Sequence, residues 1–367
     1  MSGRFIVVGL GNVGLRVLWD LARHGHEVVG VDSSYEAVER ARSMGLNAEL
    51  GDVAAVSKLA GGIGRVDAVV SALPGSIGFN VVKSLVELGF SVVDVSFFPE
   101  DPWPLHELAL SRGVTVVVDA GIAPGLSNFL VGAGVRRTGS RRVRIFVGGI
   151  SARPDSNPLG LAATWSTEDL LEEYRRPARY IRDGRVHSVS PLEATPGQVE
   201  VPGVGVLEYF PTDGLRTLLK TYGDMEFMAE YTLRWPGHLN LMKTLASLGF
   251  LGEENISVQG CVVTPRACLA SVLRSGLRGV RDIVVLMVEL SSEGEGTLRF
   301  RSVVRSDENW SAMSKGTGSF QAVVAELLHE GRLGRGLVVP EEIGRDPELA
   351  SSVMRKLSLR SIHVLED

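Results

Sequence analysis

The chain has 367 residues, of which 44% are hydrophobic and 22% are charged, and its formal net charge is −5. This length allows about two or three domains with cores of their own, and the composition is that of an ordinary globular protein. The negative charge gives no attraction to nucleic acid or to an anionic membrane surface, and the apolar runs are too short to span a bilayer.

Residues 4–32 predict a dinucleotide-binding βαβ unit. A β-branched run at 5–8 leads directly into Gly9-Leu10-Gly11-Asn12-Val13-Gly14, and a helical pattern and a strand at 28–31 follow. In such a fingerprint the first glycine permits a tight turn, the second admits a pyrophosphate, and the third lets the helix pack on the strand. The helix N-terminus adds N–H groups and partial positive charge for the phosphates.

Asp32 ends the second strand, where an acid accepts hydrogen bonds from the ribose diol of adenosine. It is followed by Ser33 and Ser34, with no adjacent arginine to bind a 2′-phosphate. The alternative, that Asp32 only caps the next helix, is weakened because Ser33 and Glu36 form a capping box. We therefore expect NAD as the cofactor, in preference to NADP.

Strands and helices alternate up to residue 118. Strands are predicted at 47–50, 67–71, 91–95 and 114–118, and helices at 35–44, 53–59, 77–88 and 105–112. This alternation predicts a doubly wound parallel sheet of the Rossmann type.

Cofactor contacts are expected at the carboxyl ends of the strands, where open α/β sheets bind ligands. Asp52 either approaches the adenine or caps the helix at 53–59, and both roles remain open. The candidates are Gly9, Gly11, Asn12, Val13, Gly14, Asp32, Ser33, Asp52, Val53, Ala72, Leu73, Pro74, Val95 and Ser96.

The pattern changes near residue 120. The segment 119–128 has two glycines and a proline, and strands are then predicted at 142–148, 204–210, 230–234, 283–290 and 297–304. Widely spaced strands predict an α+β domain with a mixed sheet, which is also a candidate dimer interface.

A helix is predicted at 320–328 and a last strand or helix at 357–365, and this tail of the chain is expected to return to the first domain. The predicted Rossmann domain is therefore 1–122 with about 330–367, and the α+β substrate domain is 123–329. Cys261 and Cys268 match no zinc spacing, so we expect two buried thiols and no metal site. The chain begins with the first strand and no signal peptide, so we expect a cytoplasmic protein.

The stretches DVSFFPED (94–101) and DAGIAPGLSN (119–128) resemble the saccharopine dehydrogenase-like family. The similarity continues through GGISARPDSNPLG, ATWSTEDLLEEYRRPA, FPTDGLRTL, YTLRWPGH and GTGSFQAVVAELL, and it covers nearly the whole chain. The motifs also resemble those of the short members of the family, the L-lysine 6-dehydrogenases.

The resemblance implies NAD-dependent oxidation at the ε-carbon of L-lysine, with hydrolysis of the imine to a semialdehyde and ammonia. The alternative within the family is reductive condensation of an amine with a semialdehyde, as in saccharopine or carboxynorspermidine formation. The modest chain length and Ser96-Phe97-Phe98, which lacks a tyrosine found in some saccharopine-type relatives, favour the lysine reaction. From another class, an NAD-sensing regulatory protein would share the first domain.

Three residues are candidates for the reaction. Asp119 follows a predicted strand, and its candidate roles are to pair with the substrate ammonium, to take its proton, or only to cap a helix or turn. Arg234 offers the planar donors that fit a carboxylate, unless it is only an exposed strand arginine. His238 is a candidate base or orienting donor, although lone histidines are more often structural.

Further substrate contacts are expected at Trp165 and Ser166, an aromatic wall and a hydroxyl that suit an aliphatic stem with a polar end, and at Asn157 in the preceding loop, although Trp165 fits a core position equally well. The resemblance adds Thr212 and Asp213 for the amino end of the substrate, although Asp-Gly also forms turns. Residues 173–175 (Glu-Tyr-Arg) are expected on the solvated face of an amphipathic helix. The expected partners are a small amino-acid substrate and a second copy in a homodimer, with no nucleic acid and no membrane.

Overall fold

The computed structural model describes residues 2–162, 166–292 and 296–367. The chain forms two compact units, the first comprising Met1–Arg136 and Ser314–His363, and the second Arg137–Met313 and Val364–Asp367. The predicted division lay at 122 and about 330. The boundaries differ because two helices that flank the second unit belong to the first, where the rings of Phe129 and Phe320 lie 6.0 Å apart.

The strands are numbered in chain order. They are β1 (Arg4–Val8), β2 (Glu27–Asp32), β3 (Ala48–Leu50), β4 (Ala68–Ser71), β5 (Val92–Asp94), β6 (Thr115–Val117), β7 (Arg142–Ser151), β8 (Ala178–Arg182), β9 (Arg185–Val189), β10 (Gly197–Val201), β11 (Gly205–Pro211), β12 (Phe227–Arg234), β13 (Ile256–Val258), β14 (Cys261–Val263), β15 (Asp282–Ser291), β16 (Thr297–Arg305), β17 (Gly336–Val338) and β18 (Leu365–Glu366).

The α-helices are numbered in the same way. They are α1 (Asn12–Arg23), α2 (Tyr35–Ser43), α3 (Val53–Ile63), α4 (Gly75–Glu87), α5 (Leu105–Arg112), α6 (Leu126–Thr138), α7 (Thr167–Glu172), α8 (Leu218–Thr221), α9 (His238–Ser247), α10 (Pro265–Gly276), α11 (Ala312–His329), α12 (Pro340–Arg345) and α13 (Pro347–Leu359). Among the described residues, no helix is long and apolar enough to cross a membrane.

The first unit contains a seven-stranded parallel sheet in the order β17-β6-β5-β4-β1-β2-β3. From β3 to β6 this is the strand order of a doubly wound dinucleotide-binding fold, which confirms the predicted fold class. The strands are continuous β-branched runs because both faces are covered, and Ile6, Val69, Val92 and Val116 are fully buried in one core cluster.

The second unit contains a nine-stranded mixed sheet, which confirms the predicted α+β character. Its main path is β10-β11-β12-β7-β15-β16-β18, with β8 and β9 branching from β12. Strands β7 and β12 run parallel, while β15 is antiparallel to both β7 and β16.

Two local predictions are wrong. Cys261 is exposed, because β13 and β14 form a two-stranded hairpin that has no further strand beside it among the described residues, and Cys268, in α10, is half-buried. The N-cap of α2 is Ser34 and not Ser33, since the Ser34 hydroxyl accepts the N–H of Ala37 at 3.3 Å.

A buried ion network ties the end of the chain to α1 and α11. Arg360, just after α13, donates to Asp20 Oδ1 at 2.7 Å and also to Glu326. Lys356 Nζ contacts Glu326 Oε2 at 2.7 Å, and Arg16 contacts Asp20 Oδ2 at 3.2 Å. Burial disfavours the charge on Glu326, but the hydrogen bonds from His26 and from the two α13 cations outweigh it and lower its pKa.

We expect Arg360→Ala to lower the free energy of unfolding by about 3–5 kcal/mol, because it leaves two buried carboxylates without their shared partner. Chemical denaturation at neutral pH measures this. Arg355→Ala, at an exposed position on the same helix, is the matched control and should change stability by less than about 0.5 kcal/mol. Equal small effects of both substitutions would contradict a stabilising role for the network.

Candidate functional site

The fingerprint turn brings three backbone segments of the first unit into close contact. Gly9 has a φ of 88°, and a Cβ there would lie 2.5 Å from the carbonyl oxygen of Ala72. A Cβ at Gly14 would lie 1.7 Å from Gly9 O, whereas one at Gly11 would meet no atom within 4 Å. The turn and the helix contact therefore require glycine, while Gly11 leaves the space that a pyrophosphate needs.

Asp32 holds this turn against the start of α2. Its Oδ2 accepts the N–H of Leu10 at 2.6 Å, and its Oδ1 accepts the N–H of Ser34 at 2.7 Å. Arg40 Nη2 donates to Leu10 O at 2.7 Å, so the loop is fixed from both sides. The carboxylate keeps further lone pairs for the hydroxyls of a ribose.

The other cofactor candidates lie where the sheet order reverses or beside it. Asn12 and Val13 begin α1, Val53 begins α3, Ala72–Pro74 join β4 to α4, and Val95 and Ser96 follow β5. Asp52 caps α3, since its Oδ1 accepts the N–H of Ala54 at 2.9 Å. The residues present therefore fit a dinucleotide, with a glycine turn, a helix N-terminus and an acid at the end of β2.

Two buried aspartates lie at the carboxyl ends of β5 and β6. Asp119 is 1% exposed and has a positive φ of 54°, which is uncommon for aspartate. The neighbouring Ala120 N–H donates to the backbone carbonyl of Asp94 at 2.8 Å. The sequence interpretation missed Asp94, because the predicted strand at 91–95 placed it inside the strand, whereas β5 ends at Asp94.

In the second unit, Arg234 is 2% exposed and its guanidinium is engaged on several sides. It donates to the Glu173 carboxylate, from Nε to Tyr174 Oη at 3.3 Å, and from Nη1 to Leu233 O at 3.0 Å. The pKa of Glu173 is raised by burial, against the attraction of Arg234.

His238 continues the hydrogen bonds that link Arg234 to Tyr174. Its Nδ1 lies 2.7 Å from Leu159 O, which can only accept, so Nδ1 carries the proton. Nε2 is then the acceptor for the Tyr174 hydroxyl at 2.8 Å. Burial and the nearby Arg234 lower the pKa of His238 to about 3, and burial raises the pKa of Tyr174 to about 12. Both groups are therefore neutral at physiological pH.

The predicted solvated position of Glu173 and Tyr174 is wrong. Helix α7 ends at Glu172, so the two following side chains turn inward, and Tyr174 is 1% exposed. Arg175 is nearer the surface and pairs with Glu172 and Glu253. Helical spacing alone did not indicate where the helix stops.

The remaining substrate candidates have local partners, and Trp165 lies outside the described residues. Ser166 caps α7 by accepting the N–H of Asp169 at 3.2 Å. Asn157 closes its own loop through Leu161, and the hydroxyls of Thr212 and Thr232 lie 2.9 Å apart. Asp213 binds Arg179 through two hydrogen bonds of 2.7 and 2.9 Å.

An arginine group near Asp213 was not anticipated from the sequence. Burial lowers the pKa of Arg176, and the neighbouring guanidinium of Arg216 lowers it further. Arg179 acts in the same direction, while Asp169 and Asp213 oppose it. Arg216 itself has a φ of 51°. Several guanidinium groups close together attract an anion.

No group of three or more His, Cys, Asp or Glu side chains suited to a metal ion occurs within the described parts of the chain.

Two family models match the chain. The saccharopine dehydrogenase NADP binding domain matches residues 5–117, and the saccharopine dehydrogenase C-terminal domain matches residues 121–362. The chain belongs to the saccharopine dehydrogenase family. The resemblance predicted from the motifs is therefore confirmed.

Curated relatives carry names from the same family. A saccharopine dehydrogenase (NADP(+), L-glutamate-forming) of Saccharomyces cerevisiae is 30% identical over 200 residues, which cover 51% of this chain and 44% of that protein. An alpha-aminoadipic semialdehyde synthase of Arabidopsis thaliana is 27% identical over 226 residues, covering 58% of this chain and 21% of that protein. The matched regions thus span less than half of these two relatives.

The fold also matches a solved structure from this family. Apo saccharopine dehydrogenase (L-Glu forming) from Saccharomyces cerevisiae superposes with a TM-score of 0.79 at 21% identity, covering 100% of this chain and 99% of that chain. This likeness shows that the two chains share a fold.

We expect the imidazole of His238 to stay neutral from pH 8 down to pH 4, because its pKa is about 3. Nitrogen-15 NMR of histidine-labelled protein checks this, with the signal of the exposed His187 as an internal reference in the same spectra. A His238 signal that titrates between pH 6 and 7 would contradict the buried neutral tautomer.

Proposed function

We propose that the chain is a nicotinamide-dependent oxidoreductase that cleaves or forms the C–N bond of saccharopine, with L-glutamate and a semialdehyde on the other side of the reaction. The observation that carries this proposal is the match of both family models, together with 30% identity to the yeast L-glutamate-forming enzyme. It favours the predicted alternative over deamination of free lysine.

Chain length no longer separates the two reactions. The structural match spans 100% of this chain and 99% of the yeast saccharopine dehydrogenase chain, so that fold needs little beyond what is present here. The missing tyrosine at Ser96-Phe97-Phe98 remains the one sequence feature that favours the lysine reaction.

The arginine group supports a substrate with several carboxylates. Saccharopine carries three carboxylates, whereas lysine carries one. Burial and the guanidinium of Arg216 both disfavour the charge on Arg176, so an anionic ligand between Arg176 and Arg216 would offset their repulsion, in addition to the contact of Arg176 Nε with Glu172 Oε2 at 3.6 Å. We assign Arg176 and Arg216 to a substrate carboxylate.

The proposed roles of the predicted residues follow from their surroundings. A nicotinamide cofactor held by the glycine turn and Asp32 would supply the hydride chemistry. Asp119, a buried acid at the carboxyl edge of the sheet, is the proposed proton acceptor for the amine. Arg234 and His238 are proposed to shape the substrate unit, because Tyr174 occupies His238 Nε2 and Glu173 neutralises Arg234.

We infer a preference for NAD from Asp32. A carboxylate at the end of β2 accepts ribose hydroxyls and repels a 2′-phosphate. The names of the family model and of the yeast relative include NADP, so this chain would differ from them in this respect.

A homodimer through the sheet of the second unit is part of the proposal, as is a cytoplasmic location. A cavity of about 350 Å³ on that sheet is lined by Arg142, Arg144, Phe227, Tyr231, Glu289 and Ser291. Aromatic and arginine side chains are enriched at protein interfaces.

The absorbance of the reduced cofactor tests the reaction. Purified protein with NAD or NADP should turn over saccharopine and release glutamate, and the reverse reaction should require both glutamate and the semialdehyde. Asp119→Asn, purified in the same way, should lose at least about 100-fold in kcat, which ties the turnover to this chain.

Turnover of free L-lysine with release of ammonia, and none with saccharopine, would contradict the proposal and establish the lysine reaction. Cofactor binding without turnover of any amine would instead indicate the sensing protein.

We expect Asp32→Ala to shift the ratio of NAD to NADP affinity at least tenfold towards NADP, because it removes both the ribose acceptor and the charge that repels a phosphate. Calorimetric titration with each cofactor measures the ratio. Glu36→Ala, at an exposed position in the first turn of α2, is the control and should leave the ratio unchanged. An unchanged ratio in Asp32→Ala would remove the basis for the NAD preference.

A further inference from the structure

Asp94 is the last residue of β5, at the sheet edge where parallel sheets bind ligands, and its side chain is fully buried. Its Oδ1 accepts a hydrogen bond from Ser96 Oγ at 2.8 Å, and its Oδ2 accepts one from the Ser96 backbone N–H at 2.9 Å. Both carboxylate oxygens therefore contact one residue, Ser96.

These contacts determine the polarity of the Ser96 hydroxyl. An ionised carboxylate has no proton to donate, whereas a serine hydroxyl has one proton and two lone pairs. The bond from Ser96 Oγ to Asp94 must use that proton. Ser96 Oγ can then only accept from a further partner, and such a partner must be an N–H or O–H donor.

Asp94 is ionised at neutral pH and above. Burial raises its pKa to about 6, Ser71 and Ser96 act against this shift, and the nearby Asp119 adds to it. Two further elements packed here contribute uncharged groups. They are Gly78 from α4, next to Ser96, and Gln321 from α11, which donates to the carbonyl oxygens of Ser71 and Val93.

Ser96 lies beside the first turn of α4. A Cβ at Gly78 would come within 2.4 Å of both Cβ and Oγ of Ser96, so the helix approaches this closely only because residue 78 is glycine. Dinucleotides bind where the strand order reverses, which here lies between β1 and β4, so the second half of a bound dinucleotide would lie on the side of β4, β5 and β6. Ser96 follows β5 on that side and is 2% exposed.

We propose that Asp94 is a positioning residue that holds Ser96 Oγ as a hydrogen-bond acceptor for an N–H group of the reactants. Two groups have this chemistry, namely the carboxamide of the nicotinamide and the amine of the substrate. The inference rests on the proposed function only for the identity of these reactants. A fixed acceptor orients its donor without reorganisation during the reaction.

The test uses Asp94→Asn, Ser96→Ala and the double variant of the full-length chain. In Asp94→Asn the amide NH₂ donates to Ser96 Oγ, so the hydroxyl proton of Ser96 is free to point towards the ligand. Ser96 then presents a donor to the ligand where the wild-type chain presents an acceptor. If the carboxamide is the donor, both single variants should bind NADH or NADPH about tenfold more weakly and ADP-ribose unchanged, as measured by fluorescence and calorimetry.

If the substrate amine is the donor, affinity for the dinucleotide should stay unchanged and the KM for the amine should rise about tenfold in both single variants. In either case the double variant should be no worse than Ser96→Ala, because Asp94 acts through Ser96. Dinucleotide binding is measured without any amine, so a wrong substrate assignment would not affect that arm.

Asp282→Asn is the matched control. Asp282 is a buried carboxylate of the second unit that accepts the N–H groups of Ala312 and Met313 at 2.7 and 3.0 Å. The Asp282→Asn substitution should lower the melting temperature and leave both the dinucleotide affinity and the KM for the amine unchanged. The same result for Asp94→Asn, or effects of Asp94→Asn and Ser96→Ala that add in the double variant, would overturn the proposal.

If Asp94→Asn does not fold, the pH dependence of ligand affinity in the wild-type chain tests the proposal instead. Protonation of Asp94 below about pH 6 frees the Ser96 proton, so the affinity for the donor should fall severalfold between pH 7.5 and pH 5. Ser96→Ala should lack this dependence. An equal pH dependence in Ser96→Ala would also overturn the proposal.

Discussion

The first unit depends on how closely α1 approaches β1. Any side chain at Gly14 would overlap the carbonyl oxygen of Gly9, and any side chain at Gly9 would overlap that of Ala72. Because both positions are glycine, the start of α1, the end of β1 and the loop after β4 lie in mutual contact. This contact presents the N-terminus of α1 at the carboxyl edge of the sheet, where its N–H groups and dipole favour a phosphate.

The fold of the first unit could be predicted from the sequence, because each of its strands and helices is marked by the residue pattern of its own short segment. Strands such as β1 and β4 are short β-branched runs covered on both faces, and each is followed by a helix of ordinary length. The second unit was predicted only in class. Strands β8 and β9 are short and partly exposed, and β8 pairs with β12 through contacts such as Phe227 with Arg182, which no local pattern indicates.

The residues of the candidate site were likewise predicted only in part. Asp32, Arg234 and His238 stand in motifs that mark them, so they were named in advance. Their neighbours were not, because Tyr174 reaches His238 from a segment 64 residues away and Glu173 reaches Arg234 from 61 residues away. Helix α7 ends at Glu172, before the stretch 173–175 that was predicted to continue it, and Tyr174 is therefore buried and Glu173 half-buried instead of exposed.

The two units share a device that controls where a proton lies. In the second unit, Leu159 O holds the proton of His238 on Nδ1, which makes Nε2 an acceptor and directs the Tyr174 hydroxyl towards it. In the first unit, Asp94 holds the proton of Ser96. Each hydroxyl or imidazole would otherwise donate or accept in more than one direction. A buried acceptor that cannot donate removes the choice, so each group presents one polarity to its next partner.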